Sequence, residues 1–231
     1  MISQKRYIVS LKKVARKFNN NKNINWGSWY AQYMGYELMW DNYLFTFIQE
    51  YAKEPNRPCI HFVFWESCPG GTPFPHQNYA FNPSRHSIPH NGNSDKYLRS
   101  VCWKFGIELD KHITIGALMV ELAKKGILII DLYPTHGVSL DTGNRKNLFK
   151  NVFPDYSLEK LTRVGKLIKK FRKCETIRVT SELFNSGLED AMDPLLIEKI
   201  RKALSLKNNP KFIVIGQKDT THLNGPSSTP S

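Results

Sequence analysis

Thr114 to Asp131 reads T-I-G-A-L-M-V-E-L-A-K-K-G-I-L-I-I-D, and this stretch decides the fold. Thr114 is a residue that caps a helix well, apolar residues follow it at helical spacing, and Gly126 is the residue with which helices most often stop. Ile127 to Ile130 then runs apolar without a break, which is the pattern of a strand buried on both faces. A helix feeding such a strand is the repeating unit of a parallel α/β sheet.

The same alternation extends in both directions. Upstream, residues 26–53 place Trp29, Tyr33, Leu38, Leu44, Phe47 and Tyr51 at helical spacing and end before Pro55 and Pro58. Cys59 to Trp65 is a β-rich run, closed by Ser67-Cys68-Pro69-Gly70-Gly71, which forces the chain to turn. The segment from Ser67 to about Ser94 is rich in Pro, Gly, His and Asn, and a connection of that length in a compact domain points to function. Residues 95–105 read as a helix. Downstream, Asp155 or Ser157 opens an amphipathic helix through Leu158, Leu161, Val164, Leu167 and Phe171. Thr176 to Thr180 is a third strand, residues 188–206 a further helix and Phe212 to Ile215 a fourth strand. The expectation is a three-layer α/β/α sandwich around a central, mostly parallel four-stranded sheet. It forms one domain over residues 1–231, with a basic segment at 1–25 and a flexible tail at 225–231.

Composition narrows the partners. The chain has 231 residues, 41% of them hydrophobic and 12% aromatic, enough for a packed core and too apolar for a disordered basic tail. Its 33 Lys and Arg stand against 20 Asp and Glu, a net charge of +13. Such a surplus either serves solubility alone or fits a polyanion, and the clusters Lys12, Lys13, Arg16, Lys17, Lys22 and Lys166, Lys169, Lys170, Arg172, Lys173 favour a nucleic acid backbone. The apolar runs are far shorter than the roughly 20 residues that cross a bilayer, and the N-terminus has no signal-peptide pattern. A soluble, cytoplasmic protein with no membrane contact and no obligate protein partner is expected. Cys59, Cys68, Cys102 and Cys174 form no C-x-x-C pair, so reduced thiols are expected, and no metal or other cofactor.

In a parallel sheet, ligands bind beyond the carboxyl ends of the strands. The segments following the four strands hold Glu66, Asp131, Ser181 to Gly187, and Thr221-His222-Leu223-Asn224. This is an acid/base set without a glycine-rich phosphate cradle, so nucleotide hydrolysis of the P-loop kind loses ground.

At these residues the sequence resembles the uracil-DNA glycosylase superfamily, over roughly residues 55–231. Glu66-Ser67-Cys68-Pro69-Gly70 is similar to the family's first motif in its G-E-A-P-G form, and Asn78-Tyr79-Ala80-Phe81-Asn82 to the later G-L-A-F-S segment. Gly126 to Asp131 is similar to its G-V-L-L-L-N strand, and His222 to Ser228, H-L-N-G-P-S-S, to its H-P-S-P motif. Glu66 stands one residue further from its proline than in the family, Asp131 replaces Asn, and three residues separate His222 from Pro226.

The resemblance implies an N-glycosylase acting on DNA. Cleaving the glycosidic bond builds positive charge on the sugar and negative charge on the departing base. Glu66 would hold water beside the sugar, and His222 would hydrogen-bond the leaving base. Phe81 would stack on a flipped-out base whose edge Asp131 reads, with Gly70 and Asn224 completing the base site. Lys12, Lys13, Arg145, Lys146, Ser227 and Ser228 would contact the DNA backbone. An ionised Asp131 only accepts hydrogen bonds, so it suits the N4 amino group of cytosine better than O4 of uracil. Gly70 and Gly71 stand where the strictest uracil-specific relatives carry a Tyr against the base's C5 side, which leaves room for a bulky 5-substituent. A 5-modified cytosine, as in phage DNA, is the target this favours, in a defence role. Three other functions fit the same residues: a uracil-repair glycosylase, a DNA-binding module without chemistry, and a metal-dependent phosphoesterase using Glu66 and Asp131.

Overall fold

The computed structural model describes residues 26–65, 79–82, 93–109, 113–132, 156–180 and 194–215, together with Lys5 and Val9. Helix α1 spans Trp26–Lys53. Tyr33, Tyr36, Trp40, Tyr43, Phe47 and Tyr51 recur on it every three or four residues and are all buried, so one aromatic stripe faces the core. Strand β1 (Ile60–Trp65) follows, then α2 (Asn93–Lys104), α3 (Ile115–Lys124) and β2 (Ile127–Asp131). Helix α4 (Leu158–Leu167), β3 (Lys173–Thr180), α5 (Pro194–Leu204) and β4 (Lys211–Ile215) complete the order.

The four strands form one sheet, ordered β2-β1-β3-β4, and every pairing is parallel. Phe62 pairs with Leu128 on one side and Ile177 on the other, and Ile177 pairs with Phe212. The chain is therefore α/β, as the alternation of elements predicts. All five residues of β2 are buried, and since successive side chains point to opposite faces, apolar cover lies on both sides of that strand. Helix α1 packs against α3, and α4 against α5.

Local chemistry accounts for several boundaries. The Ala117 N–H donates to Thr114 Oγ1 at 3.1 Å, and the helix it caps ends before Gly126, whose φ of +68° is open to glycine at little cost. A Cβ at Gly126 would also sit 2.9 Å from the Cys59 carbonyl oxygen, so the start of β2 lies tight against the chain leading into β1. Gly165 serves a different purpose. A Cβ there would meet the Ala203 carbonyl oxygen at 2.0 Å, so its absence lets α4 and α5 touch backbone to backbone. Ser157 does not cap α4; its hydroxyl donates instead to the Leu132 carbonyl at 2.5 Å, tying the start of α4 to the end of β2.

Two expectations change. Strand β3 begins at Lys173, three residues before Thr176, because the chain from Lys173 already pairs with Ile60. Cys59 and Cys174 are joined as a disulfide with Cα atoms 5.5 Å apart, against the expectation of reduced thiols, because β1 and β3 are neighbours and bring the two residues together. Cys102 is a free, buried thiol, and burial pushes its pKa up to about 12. The part of the last expected helix before Pro194 lies outside the described residues, as do Cys68 and most of the N-terminal basic segment. Among the described residues, no helix is long and apolar enough to cross a membrane.

Candidate functional site at the carboxyl end of the sheet

Among the described residues β2 is an edge strand of the sheet, and its outward backbone groups have no strand to bond. Helix α1 meets them with the polar tips of its aromatic stripe. Trp40 Nε1 donates to the Ile129 carbonyl at 3.0 Å, Tyr43 Oη donates to the Ile127 carbonyl at 3.0 Å, and Tyr43 Oη also accepts from the Ile129 N–H at 3.1 Å. The edge is thus fixed to a rigid helix, and the residue that ends it is Asp131.

Asp131 is only 4% exposed. Its Oδ2 accepts a hydrogen bond from the Tyr79 hydroxyl, while Oδ1 has no partner among the described residues. Burial raises the carboxyl pKa; the positive charge of Lys160 and the Tyr79 hydrogen bond pull it back, and Glu37 pushes it further up. Tyr79 is held by edge-on contacts with Tyr36 (4.9 Å between centroids) and Phe81 (5.4 Å).

Trp65 pairs with Asp131 across β1 and β2, so the two side chains leave the same face of the sheet. Among the described residues Trp65 Nε1 is buried and also unpartnered. A donor and an acceptor thus stand unmet at adjacent strand ends. Buried polar groups are nearly always paired, so two such atoms on one sheet face make this end the candidate place for a polar ligand edge.

A charged cluster supports this end from behind. Lys160 Nζ donates to Glu37 Oε1 at 2.6 Å, both side chains buried, and lies 3.9 Å from the centroid of the Trp40 ring. Arg163 reaches Asp41 at 2.7 Å and Glu37 at 3.7 Å. Tyr156 Oη donates to Tyr33 Oη at 2.9 Å beside them. The ion pairs join α1 to α4, and at Asp131 the charge of Lys160 and that of Glu37 act in opposite directions. Sequence reading missed this cluster, although it left a signal: Glu37 and Asp41 interrupt the aromatic stripe of α1 at positions facing the core.

One expected site residue is corrected. Phe81 is 1% exposed, stacked on Tyr43 at 4.4 Å and 20°, with Trp65 at 5.7 Å and 30°. The ring packs in the core between these neighbours and offers no open face to a base. His61 is half-buried with Arg178 Nη1 3.3 Å from Nδ1, Cys174 Sγ 3.6 Å from Nε2 and Phe105 against its ring. Desolvation, then the Arg178 charge, lowers its pKa. Glu66, Gly70, His222, Asn224, Lys12, Lys13, Arg145, Lys146, Ser227 and Ser228 lie outside the described residues. Among the described residues no group of three or more His, Cys, Asp or Glu could hold a metal ion. Compared with protein-family models, curated proteins and solved structures, the chain has no match.

Proposed function

We propose that the protein is a DNA glycosylase that reads an extruded base at the carboxyl end of its sheet, favouring a 5-modified cytosine. The observation that carries the reading is the pair of unmet polar atoms at the ends of β1 and β2, Trp65 Nε1 and Asp131 Oδ1. With Asp131 ionised they form one donor beside one acceptor. The Watson–Crick edge of cytosine is the complement, its N4 amino group donating to Asp131 and its N3 accepting from Trp65. The match of G-I-L-I-I-D with the strand that bears the base-reading residue in uracil-DNA glycosylases supports the same assignment, and the net charge of +13 supports a nucleic acid partner. Glu66, next in sequence after Trp65, takes the water-holding role and His222 the role of stabilising the departing base, as the motif resemblance implies.

The raised pKa of Asp131 supports a second target. A protonated Asp131 donates from Oδ1, which suits O4 of uracil as an amide would. The two targets are therefore separated by one proton. The experiment is incubation of the protein with DNAs carrying different natural bases, followed by mass spectrometry of free bases and alkali cleavage at abasic sites. Release of a base with matching abasic sites is expected; intact DNA throughout would overturn the enzyme reading and leave a binding module.

A further inference from the structure

The opposite end of the sheet carries a different arrangement. Each connection leading into a strand ends in exposed cations: Arg57 before β1, Lys125 before β2, Lys169, Lys170 and Arg172 before β3, and Lys207 before β4. The parallel topology gathers these four connections along a single edge. Ile60 N donates to the Arg172 carbonyl at 2.9 Å, His61 N to the Gly126 carbonyl at 2.7 Å, and the side-chain amide of Asn208 reaches Glu175 of β3 at 2.9 Å. Arg57 and Lys170 lie against the ring of Phe171, at 5.8 and 5.3 Å from its centroid.

Among the described residues these cations enter no ion pair: the pairs near this edge are Lys53–Glu50, Lys124–Glu121, and Glu198 with Arg201 and Lys202. Helix dipoles favour cations within the last helical turn only. Arg57 Nη2 donates to the Ala52 carbonyl in the last turn of α1 at 2.9 Å and so serves that helix end, whereas Arg172 and Lys207 lie beyond the ends of α4 and α5 by three residues or more, so the dipole does not account for them. Of the two acids on these connections and strand starts, Glu54 and Glu175, the second is held by Asn208.

We infer that the amino edge of the sheet is a docking surface for the phosphate backbone of duplex DNA, engaging a different segment from the one whose base enters the carboxyl end. The inference rests on the DNA partner of the reading above. Four strands at about 4.8 Å spacing make an edge roughly 15 Å long, along which one DNA strand presents roughly four phosphates. The strands themselves separate the two ends by roughly 15–25 Å, so a straight duplex lying across one end does not reach the other. The six cations sit on short connections of a rigid sheet rather than along the polar face of an amphipathic helix, which favours a polyphosphate over a lipid surface.

The test uses the full chain with Lys170→Gln/Arg172→Gln, and Lys104→Gln/Lys199→Gln as a charge-matched control on exposed helix positions. Affinity for an unmodified duplex is followed across a range of KCl concentrations. The edge variant should flatten the slope of log K against log salt by about 2, since each phosphate contact contributes about 0.9, while the control keeps the wild-type slope. Two duplexes labelled with donor and acceptor dyes should be brought together by wild type and control and not by the edge variant, whereas base release from one short duplex persists in all three. Equal slopes in the two variants would overturn the docking surface. Loss of base release in step with binding would place the edge on the same DNA segment as the site and overturn the second-segment assignment. Loss of phosphatidylserine-vesicle binding with an unchanged DNA slope would assign the edge to lipid instead. A wild type that binds no duplex fails the DNA reading itself, and with it this surface.

Discussion

The carboxyl and amino ends of the same four strands differ in where their charge goes. At the carboxyl end, charge is buried and nearly all matched: Glu37 with Lys160, Asp41 with Arg163, and one Asp131 oxygen with Tyr79. Among the described residues, the atoms left there with neither a hydrogen bond nor an ion pair include one acceptor and one donor at adjacent strand ends, Asp131 Oδ1 and Trp65 Nε1. At the amino end the cations are exposed and enter no ion pair among the described residues, and two of them, Arg57 and Lys170, lie against the ring of Phe171. A buried, almost satisfied set selects one ligand edge by shape and hydrogen bonding, because each unmet group costs energy until the right partner arrives. An exposed, unmatched set attracts any polyanion and is screened by salt. On the proposed function, one end discriminates and the other supplies affinity.

The largest effect should come from breaking the buried pair. Lys160→Met removes the closest cation from the buried Glu37, leaving only Arg163 at 3.7 Å, and should destabilise the fold by about 3 kcal/mol in chemical denaturation. A loss below about 1 kcal/mol would mean that water reaches the pair and that the carboxyl end is not a dry site. Glu66→Gln should keep the fold and the salt dependence of DNA binding but slow base release by roughly two or more orders of magnitude, because the anion facing the sugar is gone. Near-normal release would remove Glu66 from the chemistry.

A smaller effect tests the state of Asp131. Its folded pKa is raised by burial, so the native state holds that proton to higher pH than the unfolded chain does, and stability falls as pH rises from the ordinary carboxylate range through the raised value. Asp131→Asn should therefore raise Tm at neutral pH, and the gain should vanish below the ordinary carboxylate pKa. A constant difference at all pH values would show that burial does not perturb this group. At the amino edge, Lys170→Gln/Arg172→Gln should change stability by no more than about 0.5 kcal/mol, as exposed substitutions do. A larger loss would mean that these cations support the fold rather than a partner.

The contrast between the ends also tracks what could be read from the chain. The elements themselves were legible, because the aromatic stripe of α1, the cap at Thr114, the stop at Gly126 and the unbroken apolar run of β2 are local patterns. Asp131 was legible as the polar residue ending a buried strand. The pairings were not. Cys59 meets Cys174 across 115 residues, and Glu37 meets Lys160 across 123, only because β1 lies beside β3 and α1 crosses near α4. Phe81 misled because a ring in a short segment between turns reads equally well as exposed or as core, and Tyr43 and Trp65 decide for the core. The basic edge was visible only in part: the cluster from Lys166 to Lys173 stands out in sequence, whereas its union with Arg57, Lys125 and Lys207 depends on all four strands being parallel.

The most direct measurement is base release from DNA containing 5-hydroxymethylated or glucosylated cytosine, set beside uracil-containing DNA, for wild type and Asp131→Asn. The account predicts that wild type frees the modified cytosine. It also predicts that Asp131→Asn shifts release toward uracil, because the amide donates to O4 where the carboxylate only accepts. Efficient uracil release by wild type with none from modified-cytosine DNA would contradict the cytosine-type edge, and no release from any DNA would contradict the assignment of the carboxyl end as a base-reading site.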